Sequence, residues 1–248
     1  MKFLYKVIFI FLILKFKKNK KEVKFSNLNF RRLDFTNYKH IKSFIFKKNF
    51  HLLKNKYVDN FEFLNFSQNL GGKIGINLSR NNIFDWYAQN KNKISFPWTE
   101  DLTSKRLINI LYNYDFINSS ATKNETNLLN KIIIIHMQRL IFNFKSSKIS
   151  EISSYDLIAY FISILVLNIN IEKNLTYLNY IIPENMDSLG MHKSYNVLEH
   201  AKFLNNLYEL KNVLLYFDIL VPEIIDKNIL KMNSILNEYF HLDGSIPL

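Results

Sequence analysis

The densest run of chemically able side chains in this sequence is Asn185-Met186-Asp187-Ser188-Leu189-Gly190-Met191-His192-Lys193-Ser194-Tyr195-Asn196. Side chains able to donate or accept protons crowd together here, His192, Lys193, Tyr195 and Asn196 among them. The run ends where a helical pattern opens at Val197, and a helix N-terminus favours negative charge through its free N–H groups and its dipole. Capping that helix needs one residue: Asn196 can serve as N-cap, with Glu199 at the third helical position completing a capping box. His192 and Tyr195 exceed what capping requires. Side chains able to donate or accept protons thus gather where an anionic ligand is favoured.

Other chemistries find no carrier. The sequence has no Walker loop, no GxGxxG and no HExxH, and Gly71, Gly72 and Gly75 are not followed by the Lys-Ser/Thr of a phosphate loop. With no Cys, disulfides, thiolate zinc sites, Fe–S clusters and Cys nucleophiles are excluded. His136, inside IIIIHMQRL, reads as a core histidine with its hydrogen bonds satisfied, and His40, His51, His200 and His241 are spaced too irregularly for metal ligation. Asp218 and Glu223 are too solitary for a glycosidase pair. Neither a metal nor a cofactor is called for.

The elements that must position these residues are helices. At 248 residues and 48% hydrophobic composition the chain can bury a substantial core, and five Gly and four Pro point to long regular elements. Apolar residues at three- and four-residue spacing predict helices over Ile83–Asn90, Thr99–Tyr114, Thr126–Asn143, Ser153–Asn168, Glu172–Ile182, Val197–Phe217 and Glu223–Phe240. Thr99, Ser153 and Asp226 stand as caps near helix starts, and Pro222 precedes the last helix. Residues 25–56 and Phe61–Asn82 read as extended, the latter with its glycines marking a turn. The expected fold is mainly α: an incomplete α/α toroid of antiparallel helical hairpins after a short extended N-terminal lead-in. Residues 1–60 form the basic segment and lead-in, and 61–248 form the helical domain.

The net charge of +12 is unevenly placed. From Met1 to Lys56, 16 Lys and Arg meet only Glu22 and Asp34; of the totals of 33 and 21, this leaves 17 basic and 19 acidic residues in the remainder. The body is therefore near neutral. Arg occurs only at Arg31, Arg32, Arg80, Arg106 and Arg139, which does not suit a nucleic-acid-binding face, so no nucleic-acid partner is expected. Phe3–Leu14 is an apolar run too short to span a bilayer, and it lacks the small residues of a signal cleavage site. Followed by KFKKNKKEVK, it reads either as an interfacial helix on anionic lipid or as a buried helix whose Lys stems cover apolar surface.

At the 185–196 loop the sequence resembles a known family. GMHKSYNVLEHAKFLNNLYELKNVL is similar to the loop and Leu-rich helix that close the helical domain of the heparinase II/III family of bacterial polysaccharide lyases, where Gly-Gly-His-x-x-Arg-Asn/Ser-Pro precedes the helix. FPWTEDLTSKRLINILYNYDFI resembles that family's Trp…Arg-Ile-x-Asn-Trp helix, FHLDGSIPL its passage into the next domain, and FEFLNF…GGKIGIN its lead-in, with Asn77 where a Trp-Asn pair is usual. The resemblance runs from about Phe61 to Leu248.

That resemblance implies an α/α toroid followed by a β-sandwich, and cleavage of uronic-acid glycosides, glycosaminoglycans among them, by β-elimination. In this reaction the uronate carboxylate is neutralised, a base removes the C5 proton and an acid protonates the departing oxygen. By resemblance Tyr195 would be base or acid, His192 and Asn196 carboxylate-side partners, and Lys193 an anion contact. Arg106, Trp98 and Asn109 would line the sugar cleft. From the residues alone, Arg106 reads equally as an ion pair with Glu100 or Asp101, and Trp98 as core packing. The family's Asn-His pair is replaced at Glu151–Ala159 by Ser, Tyr and Asp. That departure supports the alternative of a non-catalytic glycan-binding or scaffold domain. The expected partners are an acidic polysaccharide and a β-sandwich supplied in trans or missing beyond Leu248, as in a truncated product or a split protein. The resemblance places the protein in the cell envelope or periplasm, with cytoplasmic or membrane-associated placement as alternatives.

Overall fold

The computed structural model describes residues 59–94, 96–144 and 152–239, and every regular element among them is an α-helix. The chain divides into two compact units, Met1–Lys145 and Ser146–Leu248. The apolar run at Phe3–Leu14, the 25–56 stretch and the FHLDGSIPL passage lie outside the described residues.

The first unit contains α1 (Phe63–Leu70), α2 (Gly72–Asn90), α3 (Glu100–Tyr112), α4 (Tyr114–Asn118) and α5 (Lys123–Phe144). The expected extended stretch Phe61–Asn82 is overturned, because α1 and α2 occupy it. Phe61 and Phe63 suggest a strand's period of two, yet Phe63, Leu64 and Ser67 share a buried helical face. The glycines have separate roles. Gly71 and Gly72, at φ 65° and 54°, break the chain between the two helices. Gly75 lies inside α2, where any Cβ would collide with the Ser67 carbonyl oxygen and press on the Phe116 ring. Its lack of a side chain sets how closely α1 and α2 pack.

The central pair of this unit is α3 on α5, with α2 also against α5. The helix predicted from Thr126 starts at Lys123, because Thr122 and Glu125 form a reciprocal cap: the Thr122 N–H and hydroxyl donate to Glu125 Oε2, and the Glu125 N–H donates to Thr122 Oγ1. Along α5, Leu129, Ile132, Ile133, Met137 and Leu140 are buried at three- and four-residue spacing. Each side chain removed from water in this way contributes about 1.5–3 kcal/mol. The Thr99–Tyr114 prediction resolves into α3 and the short α4, with Asn113 between them. Thr99 holds the N-cap position of α3 without a side-chain hydrogen bond.

The second unit contains α6 (Ser154–Val166), α7 (Ile171–Leu175), α8 (Leu178–Glu184), α9 (Val197–Tyr216) and α10 (Glu223–Glu238). α6 is buried from Asp156 to Leu165 and begins at a full capping box between Ser153 and Asp156. α9 packs on α6 and α10, α8 on α10, and α7 on α8. The single helix expected over Glu172–Ile182 is two. Around Thr176 and Tyr177 the backbone closes three-residue bonds (Tyr177 to Asn174, Asn179 to Thr176, Tyr180 to Tyr177), and the Thr176 hydroxyl bonds back to the Lys173 carbonyl. Asp226, expected as a cap, lies within the first turn of α10 and pairs with Lys211 of α9, while Pro222 holds the N-cap position.

Candidate functional site

The loop from Asn185 to Asn196 joins α8 to α9 and is fastened along its whole length. Asn185 Nδ2 bonds the Ile181 carbonyl at the end of α8. Asp187 Oδ1 accepts the backbone N–H groups of Leu189, Gly190 and Met191 at 3.0, 2.9 and 2.9 Å, and its own N–H donates to the Met191 carbonyl. An antiparallel bridge pairs Met186 with His192, and the Lys193 N–H donates to the Asn185 carbonyl. Gly190 takes φ 103° and lies so close to α10 that a Cβ would meet Lys231 Cβ at 2.9 Å. The sequence carried this in its Asp-x-x-Gly spacing, in which a short carboxylate organises the turn that glycine completes.

His192, Lys193, Tyr195 and Asn196 are among the side chains of this loop that face solvent in whole or part, and their atoms can be assigned roles. His192 Nδ1 accepts from the Ser194 N–H at 3.2 Å and lies 2.8 Å from Ser194 Oγ. A backbone N–H only donates, so Nδ1 is unprotonated and the ring carries its proton on Nε2. Burial of the ring, which lies 5.4 Å from Phe203, pushes the His192 pKa below the ordinary histidine value; Glu199 opposes this and His200 adds to it. Asn196 Oδ1 accepts the Glu199 N–H, which leaves the Nδ2 amide as a donor. Only half of the expected capping box forms, since the Glu199 carboxylate pairs with Lys202. Lys193 lies 3.5 Å from Glu184, both about half exposed. Tyr195 is 70% exposed and sits at φ 51°, a left-handed conformation costly for a bulky residue.

The structure places the remaining predicted site residues differently. Arg106, Trp98 and Asn109 are core residues of the first unit, and Arg106 has no exposed surface. Arg106 donates to His136 Nε2, to the Asp59 and Pro97 carbonyls and to Thr103 Oγ1. Its guanidinium lies 4.2 Å from the Trp86 ring centroid and 5.2 Å from that of Trp98. It pairs with neither Glu100 nor Asp101; Asp101 pairs with Lys105. Trp98 donates its indole N–H to the Asn90 carbonyl, and Asn109 Nδ2 donates to that of Asn60. These three residues therefore act as internal ties and not as a surface that a sugar reaches. His136 is the satisfied core histidine expected of it, with Nδ1 donating to the Ile132 carbonyl.

Sequence reasoning passed over His200. It is fully buried in the first turn of α9, accepts the His192 N–H at Nδ1 and donates from Nε2 to the Met232 carbonyl. Its sequence signal was slight, a histidine directly after the cap-and-Glu pattern of Asn196 and Glu199.

Among the described residues no group of His, Asp and Glu could hold a metal ion, and no helix is long and apolar enough to cross a membrane. No protein-family model matches this chain, and neither a curated protein nor a solved structure matches it.

Proposed function

We propose that the 185–196 loop recognises the carboxylates of an acidic glycan, as a non-catalytic binding domain with the ancestry of a heparinase II/III-type helical domain, an incomplete α/α toroid. The observation that carries this reading is the donor character of the loop. Once its internal hydrogen bonds are made, His192 presents an Nε2–H, Asn196 an amide, Lys193 an ammonium and Tyr195 a hydroxyl. Donors gathered at the start of a 20-residue helix suit an anion, with the Lys193 ammonium shared between it and Glu184. The near-neutral body means that these placed groups, and not bulk charge, would provide selectivity.

A second reading, β-elimination by a lyase, is favoured by the left-handed backbone of Tyr195, since strain of this kind collects at reacting groups. In it Tyr195 serves as base or acid, with His192 and Asn196 on the uronate carboxylate.

Calorimetric titration of the full chain with an oligouronate, against a neutral glucan of equal length, tests the first reading. Binding confined to the uronate, weakened about tenfold by Lys193→Glu, is the expected result. Equal affinity for the neutral glucan would overturn it. New ultraviolet absorbance from an unsaturated uronate, abolished by Tyr195→Phe, would decide for the lyase.

A further inference from the structure

We propose that His200 is the positioning residue of this loop, a joint that fixes the loop, α9 and α10 to one another through a single imidazole. The ring is wholly buried and both nitrogens are committed: the His192 N–H donates to Nδ1 at 3.2 Å, and Nε2 donates to the Met232 carbonyl at 2.9 Å. The Met232 oxygen can only accept and the His192 N–H can only donate, so one neutral tautomer satisfies both bonds and the other satisfies neither.

The position of this bond gives it leverage. His192 is one half of the bridge to Met186, and its carbonyl accepts the Tyr195 N–H at 2.8 Å. Fixing the His192 peptide therefore fixes the turn that carries Lys193, Ser194 and Tyr195. On the far side, Met232 directly follows Lys231, the residue against which Gly190 is pressed. The loop is thus seated on α10 at two adjacent residues, once through close glycine contact and once through the imidazole. An ordinary core histidine needs two partners; His200 has two partners on separate elements, and one of them is the backbone that carries the donors.

The joint stands on these hydrogen bonds, whereas its effect on ligand affinity rests on the recognition role proposed above. Two substitutions separate its halves. In His200→Asn the side-chain oxygen lies where Nδ1 accepts, and in His200→Gln the amide nitrogen lies where Nε2 donates. Amide hydrogen exchange on the full chain is expected to quicken at His192 by about tenfold in His200→Gln and to stay near the parent rate in His200→Asn. Oligouronate affinity should fall in the same order. Equal protection of His192 in both variants would overturn the proposal. So would ring-nitrogen chemical shifts showing the Nδ1–H tautomer in the unsubstituted protein, a measurement that needs no variant to fold. Loosening of the loop in His200→Gln, in a protein that binds no uronate, would uphold the joint and remove the glycan reading.

Discussion

Arg106 donates its Nε–H to Nε2 of His136 at 3.1 Å, so a buried guanidinium is held by a neutral imidazole and by carbonyl oxygens. Burial pushes the pKa values of both groups well down; Arg106 lowers that of His136 further and Arg139 lowers both, while Asp59 opposes the shift at Arg106 and the Ile132 carbonyl the shift at His136. A second proton on His136 would set N–H against N–H. The arrangement is stable only while the imidazole stays neutral.

Replacing Arg106 by Met leaves His136 Nε2 and the Asp59 and Pro97 carbonyls without their donor, and should cost about 3 kcal/mol or more. Arg106→Lys should recover little, because an ammonium cannot reproduce the planar fork. Urea denaturation reads both. The pH dependence follows from His136. Its folded pKa lies below the unfolded value of about 6.5, so the unfolded chain binds the proton first, and stability falls as pH drops below that value. His136→Gln should flatten this part of the profile.

Glu209 gives the opposite slope. It is buried on α9 with Oε2 lacking a hydrogen-bond partner, and burial raises its pKa to about 7. A folded pKa above the unfolded value near 4.5 means that its penalty is absent in acid and grows as pH rises from 4.5 through 7. Glu209→Gln should therefore stabilise the protein by about 1–2 kcal/mol at pH 8 and by little at pH 4.5. Denaturant midpoints of the two proteins at those pH values check the sign.

Gly75→Ala tests the contact between α1 and α2. In an ordinary helix interior the change would stabilise by about 0.5–1 kcal/mol. Here the added methyl meets the Ser67 backbone, which cannot swing aside like a side chain, and a loss of about 2 kcal/mol is expected. A higher melting temperature in Gly75→Ala would show that the helices separate freely at this point.

The long helices were legible because their apolar residues recur with the helical period, as in α5, α9 and α10. The segment covered by α1 and α2 was not, since Phe61, Phe63, Ile74 and Ile76 imitate alternation and two adjacent glycines look like a hairpin turn. Tertiary burial of Phe63, Leu64, Ile83 and Trp86 decides it for helix. Of the site, the cluster of polar residues was readable as a cluster, and Asn196 as the cap. The fate of Arg106 and Trp98 was not, because a sequence does not say whether an arginine beside a tryptophan is offered to solvent or enclosed by it. The same blindness hid His200, whose partners are backbone atoms that leave no mark on residue identity.

Arg80, Arg106 and Arg139 share one habit. Arg80 bonds the carbonyls of Ile117 and Ser119 beyond its contact with Glu125, Arg106 those of Asp59 and Pro97, and Arg139 those of Lys91 and Lys93. Each fastens a place where the chain leaves or approaches a helix by bonding two peptide carbonyls. Dissolved salt weakens attraction between ions far more than a buried bond to a carbonyl. These carbonyl contacts should accordingly persist in strong brine, and Arg80, Arg106 and Arg139 serve as rivets of the architecture around them.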